Sequence, residues 1–128
     1  MSKKILIIDD DVDLVEAITT LLDAKGYEVE SAPDGEEGFA KAKEKSPDLI
    51  LLDVMMTRES EGFDVAAKLK GEKTTKDIPI VMITGIRKEM NLPFGFEPDD
   101  NWLPVKAVLE KPVKPEVLLK TVEENIRK

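Results

Sequence analysis

The sequence predicts an α/β protein in which a parallel sheet is covered by helices on both faces. Short, continuous apolar runs indicate strands that are buried on both sides, because a strand with one wet face would alternate apolar and polar residues. Patterns with helical spacing lie between these runs, and such alternation is typical of right-handed βαβ crossovers. With 128 residues, of which 41% are apolar, residues 1–128 are predicted to form one domain around one core.

Five strands are predicted from the apolar runs. The strong runs cover residues 5–8, 49–52 and 80–83, and the weaker ones cover residues 28–32 and 105–109. Four helices are predicted from apolar stripes at helical spacing: residues 14–22, residues 34–44, a third from residue 62, and residues 115–127. Gly26 supplies a stop for the first helix, Phe39 and Ala42 share a face of the second, and Pro115 begins the last.

The stretch from residue 85 to residue 104 breaks this pattern. It contains Pro93, Gly95, Pro98 and Pro104, which are too many helix breakers for a long regular helix. An irregular segment of this length in a compact domain indicates a functional loop or a wrong element assignment.

Composition and charge exclude several classes of function. The 27 acidic and 19 basic residues give a net charge of −8, which disfavours nucleic acid and anionic membranes as partners. The apolar run after Lys3 and Lys4 is too short for a signal peptide, and no run approaches a membrane span, so we expect a cytoplasmic protein. There is no cysteine and no histidine, so any chemistry must come from carboxylates, hydroxyls, lysines or a partner.

Polar side chains follow four of the predicted strands. Asp9 and Asp10 follow the first strand, Asp53 the third, Thr84 the fourth and Lys111 the fifth. In open parallel sheets, ligands bind beyond the carboxyl ends of the strands, so these side chains are expected at one rim. Taken singly, each has a simpler explanation, namely a helix cap, a turn, a strand-end hydroxyl or a solvated lysine. Because all four strand ends carry a suitable polar group, one common site is a better explanation than four unrelated roles.

The predicted cluster suits phosphoryl chemistry. Converging carboxylates provide the oxygen ligands that Mg²⁺ prefers, and a bound cation would offset their mutual repulsion. A lysine can hold a phosphoryl oxygen, while the Thr84 hydroxyl and the Gly85 N–H suit a phosphoryl group in transfer. A carboxylate nucleophile would give an aspartyl phosphate. Asp11 or Asp13 is expected to cap the first helix rather than to bind the metal.

The chain resembles the response-regulator receiver domains of two-component signalling. The resemblance covers almost the whole sequence and rests on the ordered stretches "ILIIDDD", "DLILLDVMM" followed by "GFDV", "IPIVMITG" and "LEKPVKPE". It implies a flavodoxin-like, five-stranded sheet with strand order 2-1-3-4-5. It also implies a phosphoacceptor signalling protein rather than an enzyme, with at most self-catalysed phosphotransfer and autodephosphorylation.

The resemblance assigns a role to each site residue. Asp53 matches the phosphoacceptor, which takes a phosphoryl group from a histidine of a sensor kinase or phosphotransfer protein. Asp9 and Asp10 match the acidic pair that organises Mg²⁺ together with Asp53, and Asp10 and the Met55 carbonyl are expected as direct ligands. Thr84 matches the switch hydroxyl.

Lys111 matches the lysine that contacts the phosphoryl group, and the Lys111–Pro112 peptide is expected to be cis. The sequence departs from the family pattern at three places. Val108 stands where an aromatic switch residue is expected, and Thr57 replaces a proline in a loop, "TRESEG", that is one residue longer than usual. The third departure is the proline-rich segment, which occupies the place of the family's fourth helix, so that this helix is expected to be replaced or shortened.

The aromatic residues of the proline-rich segment have two explanations. Phe94, Phe96 and Trp102 either tuck a loop onto the body of the domain or form a surface for a partner or a second copy. We expect the chain to be a monomer or a phosphorylation-dependent dimer. Residues 113–128 are used by the last helix, so the signal is expected to leave by protein contact with a downstream protein, by onward phosphotransfer, or through a domain outside this chain.

Two alternatives remain open at this point. A haloacid-dehalogenase phosphatase would use Asp9 as its nucleophile, but this leaves Asp53 without a role, and the acidic pair Asp99 and Asp100 follows no apolar run. The other alternative is a receiver-shaped interaction module that has altered or lost its phosphorylation switch. The retained carboxylates argue against it, because such a module needs no cluster of mutually repelling charges.

Overall fold

Five strands and four helices are present in a computed structural model of the chain, which describes residues 3–53, 61–84, 107–110 and 114–126. The strands are β1 (Lys4–Ile8), β2 (Glu28–Ala32), β3 (Leu49–Asp53), β4 (Ile80–Thr84) and β5 (Ala107–Glu110). The helices are α1 (Val12–Asp23), α2 (Gly35–Lys45), α3 (Glu61–Gly71) and α4 (Pro115–Asn125).

All the strands pair in parallel, in the order β2-β1-β3-β4-β5, which confirms the predicted sheet. β2 lies on one side of β1, and β3 lies on the other side. The direction in which strands are added therefore reverses between β1 and β3. In open α/β sheets, this switch point opens a crevice at the carboxyl ends of the two strands.

Two apolar clusters cover the two faces of the sheet. Leu6 and Ile8 of β1 face α2 and α3, whereas Ile5 and Ile7 face α1 and α4. All four of these side chains are buried, because a helix layer covers each face. Burial on both faces explains why the sequence shows continuous apolar runs at the central strands.

The connections between elements follow the capping signals in the sequence. The carboxylate of Asp34 accepts the Glu37 N–H at 2.9 Å and so caps α2. Gly26 has φ 92°, a left-handed conformation that suits glycine in the turn between α1 and β2. Pro115 lies at the start of α4, where its missing N–H removes no helical hydrogen bond.

Several observed element bounds differ from the predicted ones by one or two residues. β5 continues to Glu110, one residue beyond the predicted end. α4 ends at Asn125, because Ile126 has an extended backbone with φ −64° and ψ 140°.

Residues 85–104, including the three aromatic residues named above, lie outside the described residues. Among the helices described, none combines the length and the apolar character that crossing a membrane requires.

Candidate functional site

The central strands β1 and β3 bring two buried carboxylates to the same rim of the sheet. Asp53 is the last residue of β3 and is 2% exposed, and Asp9 directly follows β1 and is 3% exposed. The Asp9 N–H donates to the Ala32 carbonyl at 3.0 Å, which extends the pairing of β1 with β2 by one residue. The main chain of Asp9 is therefore held by the sheet rather than by a free loop.

The exposed carboxylate of Asp10 completes a cluster of three acids. One carboxylate oxygen from each of Asp9, Asp10 and Asp53 lies within 4.8 Å of the other two. Like charges at this distance repel one another, and the repulsion is strongest for buried groups. The structure thus brings together the three carboxylates that the sequence predicted as metal ligands.

The chemistry of these donors fits Mg²⁺. The ion is bound in proteins by carboxylate and carbonyl oxygens, and it keeps part of its water shell for contact with phosphate oxygens. Asp9 and Asp53 are buried and Asp10 is exposed, so the cluster reaches solvent at Asp10. Asp9, Asp10 and Asp53 are therefore suitable residues to hold the ion.

Asp11 has a different role from its two neighbours. Its carboxylate oxygen accepts the Leu14 N–H at 3.1 Å, so Asp11 is the N-cap of α1. Its own N–H donates to Asp9 Oδ1 at 2.9 Å. Asp13 lies in the first turn of the helix, where a negative charge is favoured. The expectation that the third acid caps the helix is confirmed for Asp11.

Thr84 belongs to β4, the strand next to the one that carries Asp53. Thr84 ends β4, and the residue before it, Ile83, pairs with Asp53. On its other side Thr84 pairs with Glu110, the last residue of β5. The side chains of Thr84 and Val108 lie outside the described part of the structure, as do all atoms of Met55, Thr57, Lys111 and Pro112.

One contact at the site was not identified from the sequence. The Ala32 carbonyl fixes the main chain of Asp9, although nothing in the residue type of Ala32 indicates this role. The signal that would have found it is the register of the parallel pair, in which Ile8 lies opposite Ala32. Register depends on how two strands meet, so a single sequence does not show it.

A groove lies at the opposite end of the sheet from the carboxylates. Its walls include Lys4, Glu28 and Lys45, which belong to the start of β1, the start of β2 and the end of α2. None of the predicted site residues lines it. The groove is therefore separate from the acidic cluster.

Comparison with known proteins identifies the family of the chain. The chain belongs to the response regulator receiver domain family, whose sequence profile matches residues 5–123. It is therefore a receiver domain of two-component, phosphorelay signalling, and magnesium binding and phosphorylation are typical of that family.

Individual relatives support the same assignment. The alkaline phosphatase synthesis transcriptional regulatory protein PhoP of Bacillus subtilis is 39% identical over 97 residues, which is 76% of this chain and 39% of PhoP. The phosphate regulon transcriptional regulatory protein PhoB of Pseudomonas aeruginosa is 35% identical over 128 residues, which is 100% of this chain and 53% of PhoB. The chain thus spans about half or less of the length of these curated relatives.

Solved structures agree over the whole domain. The chemotaxis response regulator CheY4 of Vibrio cholerae superposes with a TM-score of 0.82 and is 31% identical. The match covers 97% of this chain and 98% of the CheY4 chain. The likeness therefore includes all the layers of the fold and not only the central sheet.

Proposed function

We propose that this chain is a Mg²⁺-dependent phosphoacceptor in which Asp53 takes a phosphoryl group from a histidine of a sensor kinase or phosphotransfer protein. The observation that carries the proposal is the convergence of the Asp9, Asp10 and Asp53 carboxylates within 4.8 Å. Capping alone does not account for it, because Asp9 and Asp53 are buried and come from different strands.

Asp53 is the acid best placed to be the acceptor. It ends the central strand β3, and its neighbours on both sides are strands of the same sheet, so its main chain is rigid. In the transfer, a carboxylate oxygen of Asp53 attacks phosphorus and the phosphorus–nitrogen bond to the donor histidine breaks. The histidine nitrogen keeps the electron pair, and the product is an aspartyl phosphate.

Asp9, Asp10 and Asp53 would hold the metal ion, together with the main-chain carbonyl of Met55. When bound, Mg²⁺ would offset the negative charge shared by the carboxylates and the phosphoryl oxygens. The buried carboxylate of Asp9 is oriented by the Asp11 N–H, a second-shell contact of the kind that fixes metal ligands. Asp10 is exposed and so provides the ligand nearest to solvent.

Thr84 and Lys111 would contact the transferred group. Thr84 ends the strand next to β3, and a hydroxyl there can donate to a phosphoryl oxygen. Lys111 follows directly in sequence after Glu110, the last residue of β5, which pairs with Thr84. A lysine ammonium would hold a phosphoryl oxygen as a point charge.

The proposal extends to the setting of the domain. We place residues 1–128 in the cytoplasm as a single receiver domain whose output is contact with another protein, either as a monomer or as a phosphorylation-dependent dimer. The net charge of −8 opposes direct binding of this chain to nucleic acid. Relatives named as transcriptional regulators are longer, and this chain matches only a part of them.

Phosphorylation with a small-molecule donor tests the acceptor. The protein is incubated with acetyl phosphate or phosphoramidate in the presence of Mg²⁺, and peptides are mapped by mass spectrometry. We expect one phosphoryl group on Asp53, no labelling of Asp53→Asn, and full labelling of Asp23→Asn. Asp23 is a suitable control because it is an exposed acid at the far end of α1.

The same experiment separates the alternatives. Labelling of Asp9 instead of Asp53 would overturn the proposal in favour of a haloacid-dehalogenase mechanism. If no residue is labelled and Mg²⁺ does not raise the melting temperature, the chain is an interaction module without a phosphorylation switch, because a ligand that binds only the native state must stabilise it.

A further inference from the structure

Helix α2 approaches the end of β1 more closely at Gly38 than any side chain would allow. A Cβ atom at position 38 would lie 2.5 Å from Ile8 Cδ1, 2.7 Å from Cγ1 and 2.9 Å from Cγ2. Nonbonded carbon atoms make their best contacts at about 3.5–4.0 Å. The Ile8 side chain therefore occupies the space that a side chain at position 38 would need.

Ile8 has little freedom to move away. Two of the three close atoms, Cγ1 and Cγ2, are attached directly to its Cβ, and a β-branched side chain is restricted in χ1. Rotation about χ1 would exchange these carbons without clearing the space. Ile8 is also 0% exposed and belongs to the close-packed cluster that includes Ala42 and Leu52.

Helix α2 is likewise held in place. Its side chain Lys41 donates to the Ser31 carbonyl of β2 at 2.6 Å, and its Ala42 is buried in the same cluster as Ile8. The Asp34 cap fixes the start of the helix one turn before Gly38. A side chain at position 38 would therefore shift both the helix and the end of β1, rather than the helix alone.

A shift at the end of β1 would reach the acidic cluster directly. Ile8 is followed by Asp9 and then Asp10, and the Asp9 N–H is bonded to the Ala32 carbonyl at 3.0 Å. Ala32 is also the last residue of the strand that leads into α2, so helix and strand end are joined through it. Mg²⁺ requires near-ideal octahedral geometry, so small displacements of its carboxylate ligands weaken its binding.

We infer that Gly38 is a positioning residue for the metal site. Because Gly38 has no side chain, Ile8 packs directly against helix α2. This contact fixes the end of β1, where Asp9 and Asp10 lie close to Asp53. This inference rests on the proposed Mg²⁺-dependent function. It also gives a reason for a glycine inside a helix, where glycine is less stable than alanine. Gly38 touches neither metal nor phosphoryl group and acts through Ile8.

Isothermal titration of the full chain with Mg²⁺ tests the inference. We expect Gly38→Ala to weaken Mg²⁺ binding about tenfold, at the lower end of the effect of disturbing the support of metal ligands. The matched control is Gly71→Ala, because a Cβ atom at that helical glycine meets nothing within 4 Å. This control is expected to bind Mg²⁺ with wild-type affinity.

A compensating substitution makes the test specific. Ile8→Val removes Cδ1, the atom that lies 2.5 Å from the added Cβ. The two γ carbons, at 2.7 and 2.9 Å, remain, so the double variant Gly38→Ala/Ile8→Val is expected to recover only part of the lost Mg²⁺ affinity. Leu22→Val and Leu22→Ala provide a graded loss of stability in the apolar cluster on the other face of the sheet, and they are expected to leave Mg²⁺ affinity unchanged.

The outcomes separate this inference from the proposed function. Wild-type affinity in Gly38→Ala, or a loss no larger than that of a Leu22 variant of equal stability, would overturn the positioning role while leaving the proposed function intact. If Gly38→Ala does not fold, the double variant must fold and bind Mg²⁺ measurably, because the closest of the three contacts is gone, and its failure would overturn the inference. A wild-type protein that binds no Mg²⁺ would overturn the proposed function and the inference together.

Discussion

The Asp11 N–H donates to Asp9 Oδ1 at 2.9 Å, while the Asp11 carboxylate accepts the Leu14 N–H at 3.1 Å. These two hydrogen bonds connect the start of α1 to the acidic cluster through Asp11. The main chain of Asp11 orients a proposed metal ligand, and its side chain caps the helix. The adjacent acids thus have separate roles although they are consecutive in sequence.

Removing the Asp11 side chain should affect stability but not metal binding. Asp11→Ala is expected to lower the free energy of unfolding by about 1 kcal/mol, because it removes the N-cap of α1. Its N–H remains available to Asp9, so Mg²⁺ affinity should stay close to wild type. Urea denaturation and Mg²⁺ titration measure the two effects. Asp11→Asn retains a capping oxygen and is the control; if both variants lose Mg²⁺ binding, Asp11 is a ligand and this division of roles is wrong.

Neutralising Asp10 should stabilise the metal-free protein. Asp10→Asn removes one of three carboxylates within 4.8 Å of one another. We expect the free energy of unfolding in EDTA to rise by on the order of 1 kcal/mol, since Asp10 is exposed and the repulsion is partly screened. The increase in melting temperature on adding Mg²⁺ should shrink at the same time. Equal behaviour of Asp10→Asn and Asp23→Asn in both measurements would show that Asp10 neither repels the other two carboxylates measurably nor contributes to Mg²⁺ binding.

The sequence predicted much of the fold and the candidate site because both depend on strong local signals. Continuous apolar runs identified β1, β3 and β4, and the acids that follow β1 and β3 identified the cluster. The alternating polar residues of the edge strand β2 gave a weaker signal, in agreement with their partial exposure. The register that brings the Ala32 carbonyl to Asp9, and the fit of Ile8 onto Gly38, depend on how distant segments meet. No local pattern encodes these contacts.

Thr75 stabilises the end of α3 and the turn before β4. Its side chain is fully buried, and its hydroxyl donates to the Leu69 carbonyl at 2.6 Å. Thr75→Val keeps the shape but leaves that carbonyl without this donor, so the free energy of unfolding should fall by about 1–2 kcal/mol. Chemical denaturation measures the loss. Thr74→Val is the control, since Thr74 is exposed and should tolerate the change; an equal loss in both variants would contradict the role of the Thr75 hydrogen bond.

Ser46 offers a stabilising substitution. It is the C-cap of α2 and has φ 48°, the left-handed conformation that disfavours residues with a Cβ atom. Ser46→Gly is expected to raise the melting temperature, with a gain of about 0.5–1 kcal/mol in the free energy of unfolding at most, because the added flexibility of the unfolded chain offsets part of the relief. Ser46→Ala keeps the Cβ atom and should give no gain. A fall in stability for the glycine variant would show that the left-handed turn carries no strain.

The switch of strand order between β1 and β3 also has a consequence for folding kinetics. Asp9 and Asp53 become neighbours only after the chain has passed through α1, β2 and α2 and paired β3 with β1, which is a slow, non-local step. The metal site also needs all three acidic side chains in their final positions, so we expect it to be complete only after the transition state for folding. We expect Mg²⁺ to slow unfolding in stopped-flow experiments while it leaves the refolding rate nearly unchanged, because an interaction absent from the transition state acts on the unfolding rate. A bound cation would then prolong the lifetime of the folded domain.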